Sequence, residues 1–279
     1  MLVTLKEILD AAEKGEYAVP AFNTYNMETV MGVIAAAEQE KSPIIIQSYS
    51  RLFNSDNGYY LSPIILAAAQ KASVPVCFHL DHGATELEVI RGIRYGCSGI
   101  MIDASALPLK ENIELTNKVV QWCKDAGISV EGEIGHVGSV NDATMSELTT
   151  VTEAKEYAGR TNVDALAVLV GTAHGRYKKP PKLDIQRIED IKKEVSAHLV
   201  LHGGSGIPDD QITEAIKAGI RKINFGTDIC YSFLDAVFAT SRDKVAVDLF
   251  MEDAVKSVKA FAAEKIRLLG SEGKACTQK

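Results

Sequence analysis

The sequence predicts an α/β chain folded as a single (β/α)8 barrel with extra C-terminal helices, one domain over residues 1–279. Three observations predict it. Eight short apolar, β-branched runs recur along the chain, amphipathic helical stretches separate most of them, and almost every run ends in a polar or ionisable residue. Runs this short suit parallel strands covered on both faces rather than buried helices. Eight such units with no long Pro/Gly/Ser linker close one barrel. A doubly wound open sheet is the structural rival. Its dinucleotide-binding version is weakened because no GxGxxG follows the first run.

In order, the strands are expected at residues 17–22, 43–47, 75–80, 99–102, 129–133, 165–170, 199–201 and 221–225. Helices are expected at 27–41, 62–72, 86–95, 109–126, 153–160, 185–195 and 209–218, and two more at 228–239 and 250–269 close the chain. Thr152 and Asp209 stand where N-caps belong, and Pro208 and Gly219 punctuate helix ends. Residues 1–16 mix Lys6, Glu7, Asp10, Glu13 and Lys14 with apolar residues at helical spacing and lack the apolar core of a signal peptide.

Composition narrows the function. The chain has 279 residues, 46% of them hydrophobic, enough for a large core. Its formal charge of −7 repels nucleic acid and anionic membranes unless a basic patch is present. No stretch reaches the roughly 18 apolar residues of a membrane span. Five cysteines are scattered without a CxxC pair and read as reduced thiols packing as small apolar groups. The expected setting is the cytoplasm, with no nucleic-acid and no membrane partner. An anionic substrate would need local help from a metal, helix N-termini or backbone N–H groups.

A barrel places its chemistry at the C-terminal ends of its strands. Those ends read Asn23; Gln47 and Ser48; His79, Asp81 and His82; Asp103; Glu131 and Glu133; Thr172 and His174; His202 and Ser205; and Asn224, Thr227 and Asp228. His82, His174 and His202 end the third, sixth and seventh strands, and three imidazoles make a common catalytic zinc set with a fourth position open for substrate. Each alone reads more readily as structural; together at one rim they read as ligands. His79, His136 and His198 read as packing or surface residues. Asp81 reads as a carboxylate that shuttles a proton beside the metal, the alternative being that it orients a histidine. Asp103 and Glu133 either bind a second cation or hold the ligands in place. The glycine-rich turn Gly203, Gly204, Ser205, Gly206 and the helix opening at Thr227 sit where barrels often bind phosphate.

At these residues the chain resembles the class II fructose-bisphosphate and tagatose-bisphosphate aldolase family. The likeness covers nearly the whole chain: Ala18 to Asn23, His79 to Gly83, Val130 to Glu133, Gly171 to Gly175, Leu201 to Gly206, and the ending Gly270 to Ala275. The resemblance implies one Zn2+ held by His82, His174 and His202, with Asp81 as the acid/base at the aldehyde-side hydroxyl. It implies that Asn23 and Asn224 contact the dihydroxyacetone phosphate portion, that Gly175, Gly203, Ser205 and Thr227 surround its phosphate, and that a monovalent cation is a candidate neighbour. Asp103 and Glu133 match an alternative, buried metal position. A homodimer or homotetramer follows from the same likeness, with an accessory subunit as a further candidate partner. The rival Schiff-base route would fall to Lys222 and would leave the histidine set unexplained.

Three departures bear on the substrate. Asn141 stands where the family usually has a loop glutamate, and Asp142 is the candidate replacement; Tyr49 stands where a serine is common; and residues 246–249, with Asp248, stand where an arginine usually meets a distal phosphate. The expected substrate is therefore a ketose 1-phosphate with a neutral or differently charged aldehyde end. Rivals are a bisphosphate aldolase proper, a barrel metallohydrolase, and a catalytically silent aldolase subunit.

Overall fold

The computed structural model describes residues 1–140, 148–177 and 179–275. Eight parallel strands close a barrel in sequence order: β1 Val19–Asn23, β2 Ile44–Tyr49, β3 Val76–Gly83, β4 Gly99–Ile102, β5 Ser129–Ile134, β6 Ala165–Val168, β7 His198–Leu201 and β8 Ile220–Phe225. Every strand is buried along its length apart from Tyr49, so backbone polar groups are satisfied by the ladder and side chains by neighbours on both faces. This is the (β/α)8 architecture that the alternation predicts.

The helices outside the barrel are α2 Met27–Glu40, α4 Asp56–Lys71, α5 Glu86–Arg94, α6 Leu109–Asp125, α7 Val151–Thr161, α8 Ile185–Glu194 and α9 Asp209–Ala218, followed by α10 Thr227–Ala239 and α11 Val247–Leu268. Three differences from the sequence reading have local causes. α4 begins six residues earlier than expected and contains Pro63, after a short α3 at Ser50–Phe53. The cap of α7 is Thr150, whose hydroxyl accepts from Glu153 N while the Glu153 carboxylate reaches back; Thr152 lies inside the helix. Asp209 is likewise the first helical residue, with Pro208 in the capping position.

Two cores result from strand alternation. Outward-facing side chains such as Phe22, Ile46, Phe78 and Ile223 pack under the helices. Inward-facing Val19, Ala21, Ile45, Cys77, Ala165, Ala167 and Val200 form a second cluster with Leu5, Ile8, Leu9 and Ala12 of α1 Leu5–Gly15. The N-terminal helix therefore stoppers the barrel at the end opposite the C-terminal mouth. At the other terminus, Gly273 N donates to Glu40 O and Ala275 N to Lys41 O, both at 2.8 Å, which ties the chain end to α2. No helix among the described residues is long and apolar enough to cross a membrane.

Candidate active site and metal centre

The mouth holds a cavity of about 370 Å3 lined by, among others, Asn23, Tyr49, Asp81, His82, His174 and Asn224. His82 and His174 line it, and the fully buried His202 packs against both: the ring centroids lie 4.9 Å (82–174), 4.7 Å (82–202) and 5.8 Å (174–202) apart. One nitrogen from each falls within 4.8 Å of the others, and His82, Asp103 and Glu133 form a second such group.

Adjacent residues on a regular strand face opposite sides, so Asp81 and His82 ought to diverge. They converge because β3 ends irregularly. Its register with β4 shifts between Leu80 and Gly83, and His82 adopts a left-handed backbone at φ 52°. A non-glycine residue there stores strain that its surroundings must hold. The His82 Nδ1 contact with Asp103 Oδ2 at 2.7 Å supplies part of that hold.

Asp81 is buried and accepts from Asn23 Nδ2 at 2.7 Å and Asn224 Nδ2 at 3.3 Å; Gln47 Nε2 in turn donates to Asn23 Oδ1 at 2.9 Å. Burial pushes the Asp81 carboxyl up, but the charges of His82, His202 and Lys222 and the Asn23 hydrogen bond outweigh it and hold the group below its ordinary range. Asn224 Oδ1 is buried without a partner, leaving an acceptor for a ligand hydroxyl.

Beneath this mouth lies a charged layer that sequence reasoning did not assemble. Lys222 Nζ pairs with Glu131 Oε2 at 2.8 Å, His79 Nε2 lies 3.3 Å from the same oxygen, and His202 Nε2 lies 2.9 Å from Glu131 Oε1. All four side chains are fully buried. The signal was present as period two: Glu131 and Glu133 on β5, His79 and Asp81 on β3, and Lys222 and Asn224 on β8 alternate inward. Gly99 leaves the space, since a Cβ there would stand 2.6 Å from His79 Nδ1. Lys222, weighed above as a Schiff-base lysine, is taken up by this ion pair and does not line the cavity.

The donor set fits a divalent cation. Glu131 holds His202 Nε2, and His202 Nδ1 is left buried without a hydrogen-bond partner, 3.3 Å from Glu133 Oε2, itself unpartnered. Burial, with Asp103 nearby, pushes the Glu133 carboxyl up to about 8. Burial and the charges of His82 and His202 push His174 down to about 3, which keeps that imidazole neutral and able to ligate. Asp103 Oδ1 accepts from Ser105 Oγ at 2.6 Å, and Ser105 also contacts Glu133 and the exposed His136. His198, by contrast, binds Asp10 Oδ1 at 2.8 Å at the stoppered end.

On the other side of the mouth, Gly203 has φ 67°, and a Cβ there would meet Ala173 O at 2.4 Å. Gly175, with φ 114°, lines the same wall. Ser205 Oγ accepts from Asp228 N at 3.2 Å, and α10, opening at Thr227, has no side-chain cap. A helix start next to glycine turns suits an anion. The loop after β5 lies against the loop after β6, with Val140 N donating to His174 O at 2.9 Å. Asn141 and Asp142 lie outside the described residues. Residues 246–249 open α11, are exposed, and do not line the cavity.

A barrel whose strand ends gather three imidazoles and an ionised carboxylate in one cavity defines an enzyme able to hold a divalent cation. A family model described as fructose-bisphosphate aldolase class-II matches residues 3–274. The chain belongs to the class II fructose-bisphosphate aldolase family; it is a class II aldolase, a carbon–carbon lyase. YdjI of Escherichia coli K12 is 40% identical over 283 residues, covering 99% of this chain and 100% of that one. The crystal structure of the YdjI aldolase superposes with a TM-score of 0.90 at 37% identity, covering 99% of this chain and 100% of that one. Sulfofructosephosphate aldolase of Alkalicoccus urumqiensis is 38% identical, covering 98% of both chains. The 6-phospho-5-dehydro-2-deoxy-D-gluconate aldolase of Bacillus licheniformis is 35% identical, covering 99% of this chain and 98% of that one.

Proposed function

We propose that this aldolase reversibly cleaves a phosphorylated ketose, a ketose 1-phosphate, into dihydroxyacetone phosphate and an aldehyde, using one Zn2+ held by His82, His174 and His202. The observation that carries the reading is the convergence of those three rings with Asp81 beside the uncapped start of α10. The bound cation supplies Lewis-acid stabilisation for the negative charge that carbon–carbon cleavage leaves on the ketone oxygen. The Asp81 carboxylate takes the proton from the C4 hydroxyl; the C3–C4 electron pair then flows toward the ketone and the aldehyde carbonyl forms. Asn23 and Asn224 hold Asp81 in place by donating to it. Gly175, Gly203, Ser205 and Thr227 receive the C1 phosphate. The named substrates of the two relatives, sulfofructosephosphate and 6-phospho-5-dehydro-2-deoxy-D-gluconate, each pair one phosphate with a different acidic group, which supports a single phosphate here.

The reading extends to self-association. α10 buries only Ile229 of its thirteen residues and exposes Tyr231, Leu234 and Phe238 at helical spacing. A second copy of this chain is the occupant we propose for them, since an apolar patch of this kind can pair with itself across a two-fold axis.

The test is release of triose phosphate from ketose 1-phosphates. EDTA should abolish it and Zn2+ should restore it, with one equivalent of zinc bound per chain. Undiminished cleavage after complete metal removal refutes the assignment.

A further inference from the structure

One charged group in the mouth has no part in the chemistry above. Arg51, at the start of the segment after β2, lines the cavity together with Asp81 and His82 and is the one Lys or Arg that does so among the described residues. Its guanidinium carbon lies 5.5 Å from the ring centroid of Tyr25 and 5.4 Å from that of Tyr49. Both rings lie within cation–π range of it, and among the described residues no carboxylate pairs with it. A guanidinium without a carboxylate partner among the described residues, at the rim of a binding cavity in a chain of net charge −7, is an exception to that balance. Aromatic bracing reduces the side-chain entropy that a ligand contact would otherwise cost.

Its place relative to the reacting atoms says which end of the substrate it meets. The glycine turn and α10 start after β7 and β8 receive one end. Asp81, the base at the aldehyde-side hydroxyl, pairs in register with Tyr49 of β2. The Tyr49 ring stands 5.8 Å from the His82 ring and 5.4 Å from the Arg51 guanidinium carbon, so it touches both. Arg51 follows β2, beside the β3 end that carries Asp81, and the α10 start and the glycine turn follow β8 and β7, two and three strands away round the closed barrel, which puts Arg51 nearer the Asp81 end of the substrate. We infer that Arg51 is a specificity-determining residue that receives a terminal oxyanion on the aldehyde portion of the substrate. A carboxylate, a sulfonate or a phosphate offers the required oxygens, and a planar carboxylate matches the two parallel N–H donors of the fork. The neutral-ended alternative left open by the sequence is set aside by this group, and Tyr49 at the position where a serine is common becomes the brace for the arginine. The inference rests on the aldolase reading above.

The test is the aldol direction, with dihydroxyacetone phosphate and a panel of aldehydes matched in length but ending in hydroxymethyl, carboxylate, sulfonate or phosphate. For the zinc-loaded wild type, kcat/KM is expected to favour at least one anion-ended aldehyde over the hydroxymethyl one tenfold or more. R51Q should shrink that preference at least tenfold, chiefly through the KM for aldehyde, while the KM for dihydroxyacetone phosphate moves less than threefold. R51K should recover part of the preference for phosphate and less for carboxylate, because a point charge replaces the fork. An equal loss on neutral and anionic aldehydes in both variants would mean a structural role and overturn the inference. So would a rise confined to the KM for dihydroxyacetone phosphate, or a wild type indifferent to end charge. Condensation with no aldehyde at all, metal present, would sink the aldolase reading and this inference together, whereas turnover without charge preference sinks only this one.

Discussion

Lys222 and Glu131 show how single residues far from solvent set the geometry of the site. Their ion pair is fully buried, and Glu131 spends its other oxygen on His202. Burial pushes the Glu131 carboxyl up, but Lys222, His202 and His79 more than offset it and hold it well below the ordinary carboxylate range. Removing one partner of such a pair leaves an uncompensated charge, at a cost of about 3–5 kcal/mol. K222M is therefore expected to lower unfolding stability by about that amount in denaturant titrations, and the double variant E131Q/K222M should recover a large part. The single variant E131Q should weaken zinc binding by about 10- to 100-fold in a chelator competition, because His202 loses the partner that fixes its ring. Zinc affinity unchanged in E131Q would show that His202 is oriented by packing alone.

At the scale of elements, α1 does what no strand can: it closes the bottom of the barrel. Leu5, Ile8, Leu9 and Ala12 are buried, and each of the three larger side chains contributes about 1.5–3 kcal/mol of burial. Its polar edge is anchored by Glu13, which lies 2.8 Å from Lys192 of α8 and 3.3 Å from the buried Arg221 of β8. Asp10 contacts Lys6 and His198. Burial raises both carboxyls, yet the Lys192 bond with the Arg221 charge at Glu13, and the Lys6 and His198 bonds at Asp10, outweigh it, so both lie below their ordinary values of 4.5 and 3.8. A carboxyl lowered in the folded state stabilises fully above its unfolded value and loses that stabilisation as pH falls through the folded one. The Tm of the wild type should thus drop as pH is taken below about 4, and E13Q, less stable at pH 7, should show a shallower drop. Parallel Tm-against-pH curves for the two would show that Glu13 carries none of the acid sensitivity.

For the whole molecule, the outer face of α10 and the approach to α11 is the least finished surface. Phe238 is 83% exposed, Val245 88% and Val247 69%. Exposed apolar area of this kind marks a surface suited to a partner, and under the proposed self-association a self-complementary patch would give a closed two-fold assembly. Light scattering after gel filtration is expected to give a dimer or tetramer of 30.2 kDa chains. F238D should shift it toward monomer with the barrel's circular dichroism retained. A wild-type monomer at micromolar concentration would remove the self-association reading.

The sequence by itself determined the barrel. Eight apolar runs of the right length leave few other ways to bury their faces, and the polar residue at each run's end places His82, His174 and His202 on one rim. The glycine turn at Gly203 was equally legible, since turn chemistry is local. What only the tertiary structure decided is what depends on distance between strands. Sequence alternation alone sends Asp81 and His82 to opposite faces, and the irregular end of β3 brings them together. The Lys222, Glu131 and His202 chain joins three strands whose relative register no local pattern encodes. Arg51 carries no signal of its own in the sequence; its meaning comes from Tyr25, after β1, and Tyr49, the last residue of β2, whose rings it meets at the cavity rim. Local propensity fixes periodicity and caps over a few residues, whereas a site is a set of contacts across the barrel, and those exist only once the barrel has closed.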